Sequence, residues 1–338
     1  MKTFRIAGAV GIAALVVALG VGASPAAALA KKHKAAADDR VAGTGVVDSA
    51  AAPDAACGTT FSTCCTITAS GVYTLSASFT ANSGTGTCVA IGNAGGSITN
   101  VVVNLAGFTI TQATANNGKG TGIGITGASG FNTDSQNVYL EGLNGGVSGF
   151  ATGVSVSSSS GTFGTNYVTV EGVNAGDNGT GFTETGNNAS LSDISASSNK
   201  VGVEVTACDN CSVNFADLES NSQYGMWLND SDMVAVNSIF TTSNGVAGIY
   251  DGCNATTPGT TCSSGTGDNN QIFNSISENN PNTTTGLGIY VDNGETNTSV
   301  SNNDASGNKF DGFDKNTSCG SNHWFGNVFT TASPSCVH

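Results

Sequence analysis

Gly202-Val203-Glu204-Val205, Gly225-Met226-Trp227-Leu228 and Gly248-Ile249-Tyr250 are one cassette written three times. Each is a glycine, an apolar residue, an outward residue and, in the fuller copies, a second apolar one. The cassette also stands upstream at Gly122-Ile123-Gly124-Ile125, Gly153-Val154-Ser155-Val156 and Gly181-Phe182-Thr183, and downstream at Gly288-Ile289-Tyr290-Val291 and Gly312-Phe313-Asp314. Successive anchor glycines lie 31, 28, 21, 23, 23, 40 and 24 residues apart. The underlying period is about 22 residues with insertions in some turns, which is the signature of a solenoid.

A second β-rich run follows most cassettes: Val138-Tyr139-Leu140, Val168-Thr169-Val170, Val213-Asn214-Phe215, Val234-Ala235-Val236 and Ile272-Phe273. Alternating apolar and polar residues put one row inward and one outward. Ser, Asn, Gly and Asp fill the turns between runs. Little of the chain sustains a helical period, which argues against an α-solenoid. Asn178, Asn199, Asn221, Asn244 and Asn308 each precede an anchor glycine by three or four residues. Stacked amides at such a position can hydrogen-bond coil to coil, so these asparagines read as a turn ladder rather than as sugar ligands.

The earlier segment is looser but compatible, with Gly71-Val72-Tyr73-Thr74-Leu75, Cys88-Val89-Ala90-Ile91 and Val101-Val102-Val103-Asn104-Leu105-Ala106-Gly107-Phe108-Thr109-Ile110. On that opening, the Asn-Leu-x-Gly-Phe-Thr-Ile element and the repeats after it, residues 57–338 resemble the secreted right-handed parallel β-helix proteins of the pectin-lyase-like class. The resemblance implies an all-β fold, a right-handed parallel β-helix of roughly ten coils, about 50 Å long at the strand spacing. It implies no single activity, because the class is similar in scaffold but hosts lyases, hydrolases, epimerases and adhesins. Cys319 to Val337, with Trp324, Phe325 and Phe329, read as a last coil and a C-terminal cap over an otherwise open sheet edge.

Residues 1–30 carry Lys2 and Arg5, an apolar run from Ile6 to about Gly22, and Ala28-Leu29-Ala30 before a cleavage point. They read as a secretory signal peptide, which places the protein outside the cell with no membrane span in the mature chain. Residues 31–56 have almost no large apolar side chain and read as a flexible leader. Once Lys2 and Arg5 are set aside, 24 acids stand against 8 bases, a formal charge of −16. Arginine is absent beyond Arg40, so nucleic acid is excluded as a partner. All ten cysteines follow the signal, and an even number in an exported chain points to disulfides. Proximity pairs Cys253 with Cys262 and Cys319 with Cys336, while the pairing of Cys57, Cys64, Cys65 and Cys88 stays open. Cys208-Asp209-Asn210-Cys211 reads as a disulfide or as a redox or zinc pair; the lack of a second such pair and of a nearby histidine weighs against the latter.

Candidate site residues come from the outward column of the cassettes, which reads Gly124, Ser155, Thr183, Glu204, Trp227, Tyr250, Tyr290, Asp314. Three consecutive aromatics there would make an exposed strip on which sugar rings stack, with Trp227, Tyr250, Tyr290 and Asp292 as substrate-binding residues. Glu204, Asp230 and Asp251 lie beside it as candidate catalytic acids. The competing reading is that the rings stack on one another or pack beneath insertions. A second column pairs Glu141 with Glu171, about 5 Å apart if one coil separates them. That is near the carboxylate spacing of retaining glycosidases, and it also suits Ca²⁺ as a cofactor.

Asn132-Thr133-Asp134 matches a triplet of polygalacturonase-like hydrolases, but the chain lacks their paired aspartate, Gly-His-Gly and Arg-Ile-Lys. It also lacks the Asp-Pro-His-Glu of alginate-epimerase-like enzymes, and its scarcity of bases disfavours polyuronate lyase chemistry. His33, His323 and His338 are the only histidines, which argues against Ser/His/Asp and Cys/His catalysis. The sequence therefore points to a partner that is a polysaccharide or cell-surface glycan, bound and, if the protein is an enzyme, hydrolysed. The alternative is a non-catalytic surface, matrix or adhesin-type structural protein.

Overall fold

A computed structural model describes residues 47–49, 55–92, 100–114, 117–126, 137–157, 167–253, 269–280 and 286–338. Among the described residues the chain winds through three parallel sheets of eleven strands each, every strand pairing with its equivalents one turn away. The result is a right-handed parallel β-helix, the hand expected of parallel crossovers. We call the sheets A, B and C. Sheet B holds the cassettes, for example Thr180–Asn187, Val201–Asp209, Tyr224–Asn229, Ala247–Asp251 and Leu287–Val291. Sheet C holds the second β-rich runs, including Val101–Asn104, Asn137–Glu141 and Tyr167–Glu171, and sheet A holds short strands such as Ser195–Ser197 and Asp217–Glu219.

The core is the set of inward columns. In sheet B, Val154, Phe182, Val203, Met226, Ile249 and Ile289 are register partners in sequence and none has measurable exposure. Left-handed residues punctuate the turns: Asp193, Phe215, Ser238, Asn274 and Asn302 between sheets C and A, and Asp177, Ser198, Ser220, Ser243 and Asn279 between A and B. Asn, Asp and Ser recur there because their short polar side chains tolerate this backbone conformation best after glycine.

The anchor glycines are fixed by close approach. A Cβ on Gly225 would lie 2.6 Å from the Gly248 carbonyl oxygen and 2.9 Å from Asn244 Nδ2, and one on Gly202 would meet Gly225 and Asn221 in the same way. Gly225→Ala is therefore expected to destabilise the chain by about 1–3 kcal/mol through overpacking, read as a lower denaturant midpoint. An unchanged midpoint would mean that the coils can part without cost.

The asparagine column forms a continuous ladder. Asn178, Asn199, Asn221 and Asn244 each donate a backbone N–H to the side-chain oxygen of the next, at 2.8–3.1 Å, and Asn280 and Asn308 continue it. Asn280 belongs to the ladder although the insertion after it separates it from its anchor glycine. At the far end Asn308 hands over to Asp311, which accepts its N–H and Nδ2.

The eighth cassette is corrected by the register. Ile289 pairs with Gly312, Tyr290 with Phe313 and Val291 with Asp314. Asp311 thus stands where the other coils have their glycine, Phe313 joins the outward column, and Asp314 points inward.

Disulfides join Cys57 to Cys65, Cys64 to Cys88, Cys208 to Cys211 and Cys319 to Cys336. Cys253 is also disulfide-bonded, and Cys262 lies outside the described residues. Within the segment read as a leader, Val47–Ser49 forms a parallel strand on Phe79–Ala81. The signal segment lies outside the described residues. At the other end His323–Phe325, Val328–Phe329 and Ala332–Ser333 are the last strands of the three sheets, with Trp324 buried and Phe325 exposed. Among the described residues no helix is long and apolar enough to cross a membrane.

Candidate functional site

The outer face of sheet B carries two adjacent columns. One is Glu204, Trp227, Tyr250, Tyr290 and Phe313; the other is Val201, Tyr224, Ala247, Leu287 and Phe310. Because both are largely apolar from Tyr224 onward, they merge into one cluster on the outside of the solenoid. Tyr224 stacks on Tyr250 with centroids 4.9 Å apart, and Tyr250 on Tyr290 at 5.3 Å.

The expectation of an exposed aromatic strip is corrected here. Tyr250 is 0% exposed and Tyr290 4%, so neither presents a ring face to a sugar. Their hydroxyls turn to Asp292, donating to Oδ2 at 2.6 Å from Tyr250 and to Oδ1 at 2.9 Å from Tyr290. Asp292 is itself fully buried and also accepts the Asn293 N–H, so it ties the ring stack down rather than facing a ligand. Burial raises both phenol pKa values, and the Asp292 carboxylate adds to the rise.

Asp251 is corrected too. It pairs with Leu228 on one side and Val291 on the other, in an inward column, and is 1% exposed. Asn270 Nδ2 donates to its Oδ1 at 3.0 Å and Thr298 Oγ1 to its Oδ2 at 2.8 Å, while burial raises its pKa. A carboxyl so enclosed has no path to a substrate. Asp314, two coils on in the same column, is bonded by Asn316, Asn322 and the Trp324 indole N–H.

Trp227 and Glu204 remain at the more open end of the face, half-buried and in adjacent coils. Trp227 donates its indole N–H to the Gly252 carbonyl at 2.6 Å, which fixes the ring plane. Burial raises the Glu204 pKa, against the lowering effect of hydrogen bonds from Thr206 and Asn229. Asp230 is exposed, in a left-handed turn just beyond the Trp227 strand.

Glu141 and Glu171 are register partners on the outer face of sheet C, as their matched runs predict, so they lie on a different sheet from Glu204 and Trp227. Both are half-buried. Asn104, one coil before, donates Nδ2 to Glu141 Oε2 at 3.0 Å, and Tyr139 donates its hydroxyl to Glu171 Oε2 at 2.5 Å. That bond, with burial and the two carboxylates beside it, pushes the Tyr139 pKa up to about 12. Tyr139 and Asn104 were not singled out from sequence. The signal was present: Tyr139 is two residues before Glu141 on one strand and shares its outer face.

Among the described residues one group brings three potential metal-binding side chains within 4.8 Å of one another: Glu184, Cys208 and Cys211. Glu141 and Glu171 supply only two carboxylates, each already accepting a neutral donor, which gives Ca²⁺ no built cage there. Asn132-Thr133-Asp134 lies outside the described residues.

No protein-family model and no curated protein matches the sequence. Among solved structures, the A-module of the Azotobacter vinelandii mannuronan C-5 epimerase AlgE4 is similar over 85% of this chain and 84% of its own, with 14% identity and a TM-score of 0.53. The AlgE6 A-module from the same organism is similar over 86% of this chain and 88% of its own, at 14% identity and a TM-score of 0.48. Tailspike protein 2 of an Escherichia coli O157:H7 bacteriophage is matched over 72% of this chain at 16% identity and a TM-score of 0.48. The chain spans only 34% of that tailspike's length. The likeness to the AlgE4 module is one of fold, the parallel β-helix, and at such identity no residue role passes across.

Proposed function

We propose that this is a secreted β-helix protein that binds extracellular polysaccharide on its outer faces. The observation that carries the reading is the half-buried cluster of Asn104, Tyr139, Glu141 and Glu171 on sheet C, where an amide, a phenol and two carboxylates sit coil upon coil. Such a column offers a sugar chain hydrogen-bonding groups at each strand spacing along the cylinder and an aromatic face beside them. Trp227 with Glu204 is a second contact on sheet B, reduced from the full strip to its open end. That the AlgE4 module is by name an enzyme of mannuronan supports a polysaccharide partner at the level of scaffold.

The test is retardation of the purified protein in gels containing neutral or acidic polysaccharides. Trp227→Ala and Tyr139→Ala are each expected to weaken retention about fivefold or more, the loss typical of an aromatic anchor worth over ~1 kcal/mol. Unchanged retention by both folded variants would remove these faces as the binding site. No retention on any polymer would instead leave the chain as a structural spacer or adhesin.

Hydrolysis is a second reading, favoured by the one observation that Glu141 and Glu171 are register partners. It requires the polymer to shorten on incubation, and the shortening to vanish in Glu171→Gln. The dispersal of the other acids weighs against it, since Asp251 and Asp292 are enclosed and Glu204 is on another sheet.

A further inference from the structure

Sheet B has one irregularity in its middle. The strand Val201–Asp209 carries an extra residue against Thr180–Asn187, with the register shifting between Thr185 and Asn187. Cys208 within this bulge and Cys211 just after it are buried, at 0% and 1% exposure. Glu184 meets them there from the preceding coil. It occupies the inward column otherwise held by Val156, Val205 and Leu228, and has no exposure. Cys208 Sγ lies 3.7 Å from Glu184 Oε1, and Cys211 Sγ lies 3.4 Å from the Gly186 carbonyl oxygen. The other carboxylate oxygen, Oε2, is buried and has no hydrogen-bond partner.

A buried carboxyl with an unmatched oxygen against two sulfurs is a poor hydrophobic core and a good set of donors. We propose that, in the dithiol state of Cys208 and Cys211, Glu184 and the two sulfurs bind a zinc-class divalent cation. The chemistry is that of a three-ligand thiolate and carboxylate site, with the Cys-x-x-Cys spacing giving a chelate and a fourth position for water or the Gly186 carbonyl. The disulfide is the other state of the same pair. An external dithiol reductant supplies two electrons and two protons, its own sulfurs joining as the Cys208–Cys211 bond breaks. The cation then displaces three protons, one from each thiol and one from the Glu184 carboxyl.

The experiment titrates the dithiothreitol-reduced full chain with Co²⁺, reading thiolate-to-metal charge transfer in the near ultraviolet, and with Zn²⁺, reading bound metal after gel filtration. Wild type is expected to take up one equivalent when reduced and none when oxidised. Cys208→Ser/Cys211→Ser, which keeps every other cysteine, is expected to lose that equivalent, and Glu184→Gln to bind at least tenfold more weakly. Absence of stoichiometric binding, or binding undiminished in either variant, would overturn the proposal. If reduction unfolds the protein, Zn²⁺ is expected to restore the sheet spectrum in wild type but not in the double variant; failure to do so would count equally against it.

Discussion

Asn221→Ala is expected to lower the unfolding free energy by about 1–3 kcal/mol, because it strands one buried backbone donor, the Asn199 N–H. Asn221 is 1% exposed and sits mid-ladder. Its Oδ1 accepts both the Asn199 backbone N–H and Asn199 Nδ2, each at 3.1 Å, while its Nδ2 donates to the Ala196 carbonyl at 3.1 Å and to Asn244 Oδ1 at 3.0 Å. In the alanine variant the Asn199 N–H loses its partner inside the solenoid, while the Ala196 oxygen gives up the amide but stays in the ladder with Asp217–Glu219. Asn199 Nδ2 keeps the Ala175 carbonyl and Asn244 Oδ1 keeps the Asn221 N–H, so the damage is confined to one group. Urea unfolding followed by circular dichroism measures the loss. Since coils stabilise mainly their neighbours, a second transition confined to the region around this coil is an equally telling result. A midpoint equal to wild type would show that the ladder contributes nothing net.

The ladder also shows how far sequence carries. Its asparagines were legible because they fall three or four residues before an anchor glycine, and the glycines because only they admit the next coil's carbonyl at that distance. Where an insertion changes the offset, at Asn280, the pattern hides although the hydrogen bonds continue.

The outer face was legible as a column of side chains but not as a surface. Whether Tyr250 is open depends on the flanking column, and Tyr224, Leu287 and Phe310 are set by residues that periodicity alone treats as strand starts. Asp314 was misplaced for a simpler reason. Gly312 looks like an anchor, yet the pairing puts it in the apolar column, one step out of phase. A one-residue slip moves every side chain to the opposite face.

Inward acids were the least legible feature, although aligning the column Ile125, Val156, Glu184, Val205, Leu228 shows a carboxyl among aliphatics. Glu184 carries the other large prediction. Burial pushes its pKa from 4.5 up to about 8. An acid whose folded pKa is raised is protonated in the folded chain over a range where the unfolded chain has already ionised, so stability falls as pH rises through that range. The loss begins near 4.5, proceeds at about 1.4 kcal/mol per pH unit and levels off above about 8, at roughly 5 kcal/mol in all.

Glu184→Gln removes the ionisation and keeps the shape. Under non-reducing conditions, with the Cys208–Cys211 disulfide intact, its stability advantage over wild type is therefore expected to grow by several kcal/mol from pH 4.5 to pH 8.5. Asp251 is as deeply buried and its pKa is also pushed up, because burial and the nearby Asp314 and Asp292 carboxylates outweigh the hydrogen bonds from Thr298 and Asn270, so Asp251→Asn is expected to move the pH profile in the same direction. Denaturant midpoints of the three proteins across that range decide the matter. Parallel curves for wild type and Glu184→Gln would mean that Glu184 ionises freely in the folded chain, and hence that water or a cation reaches the space beside Cys208 and Cys211.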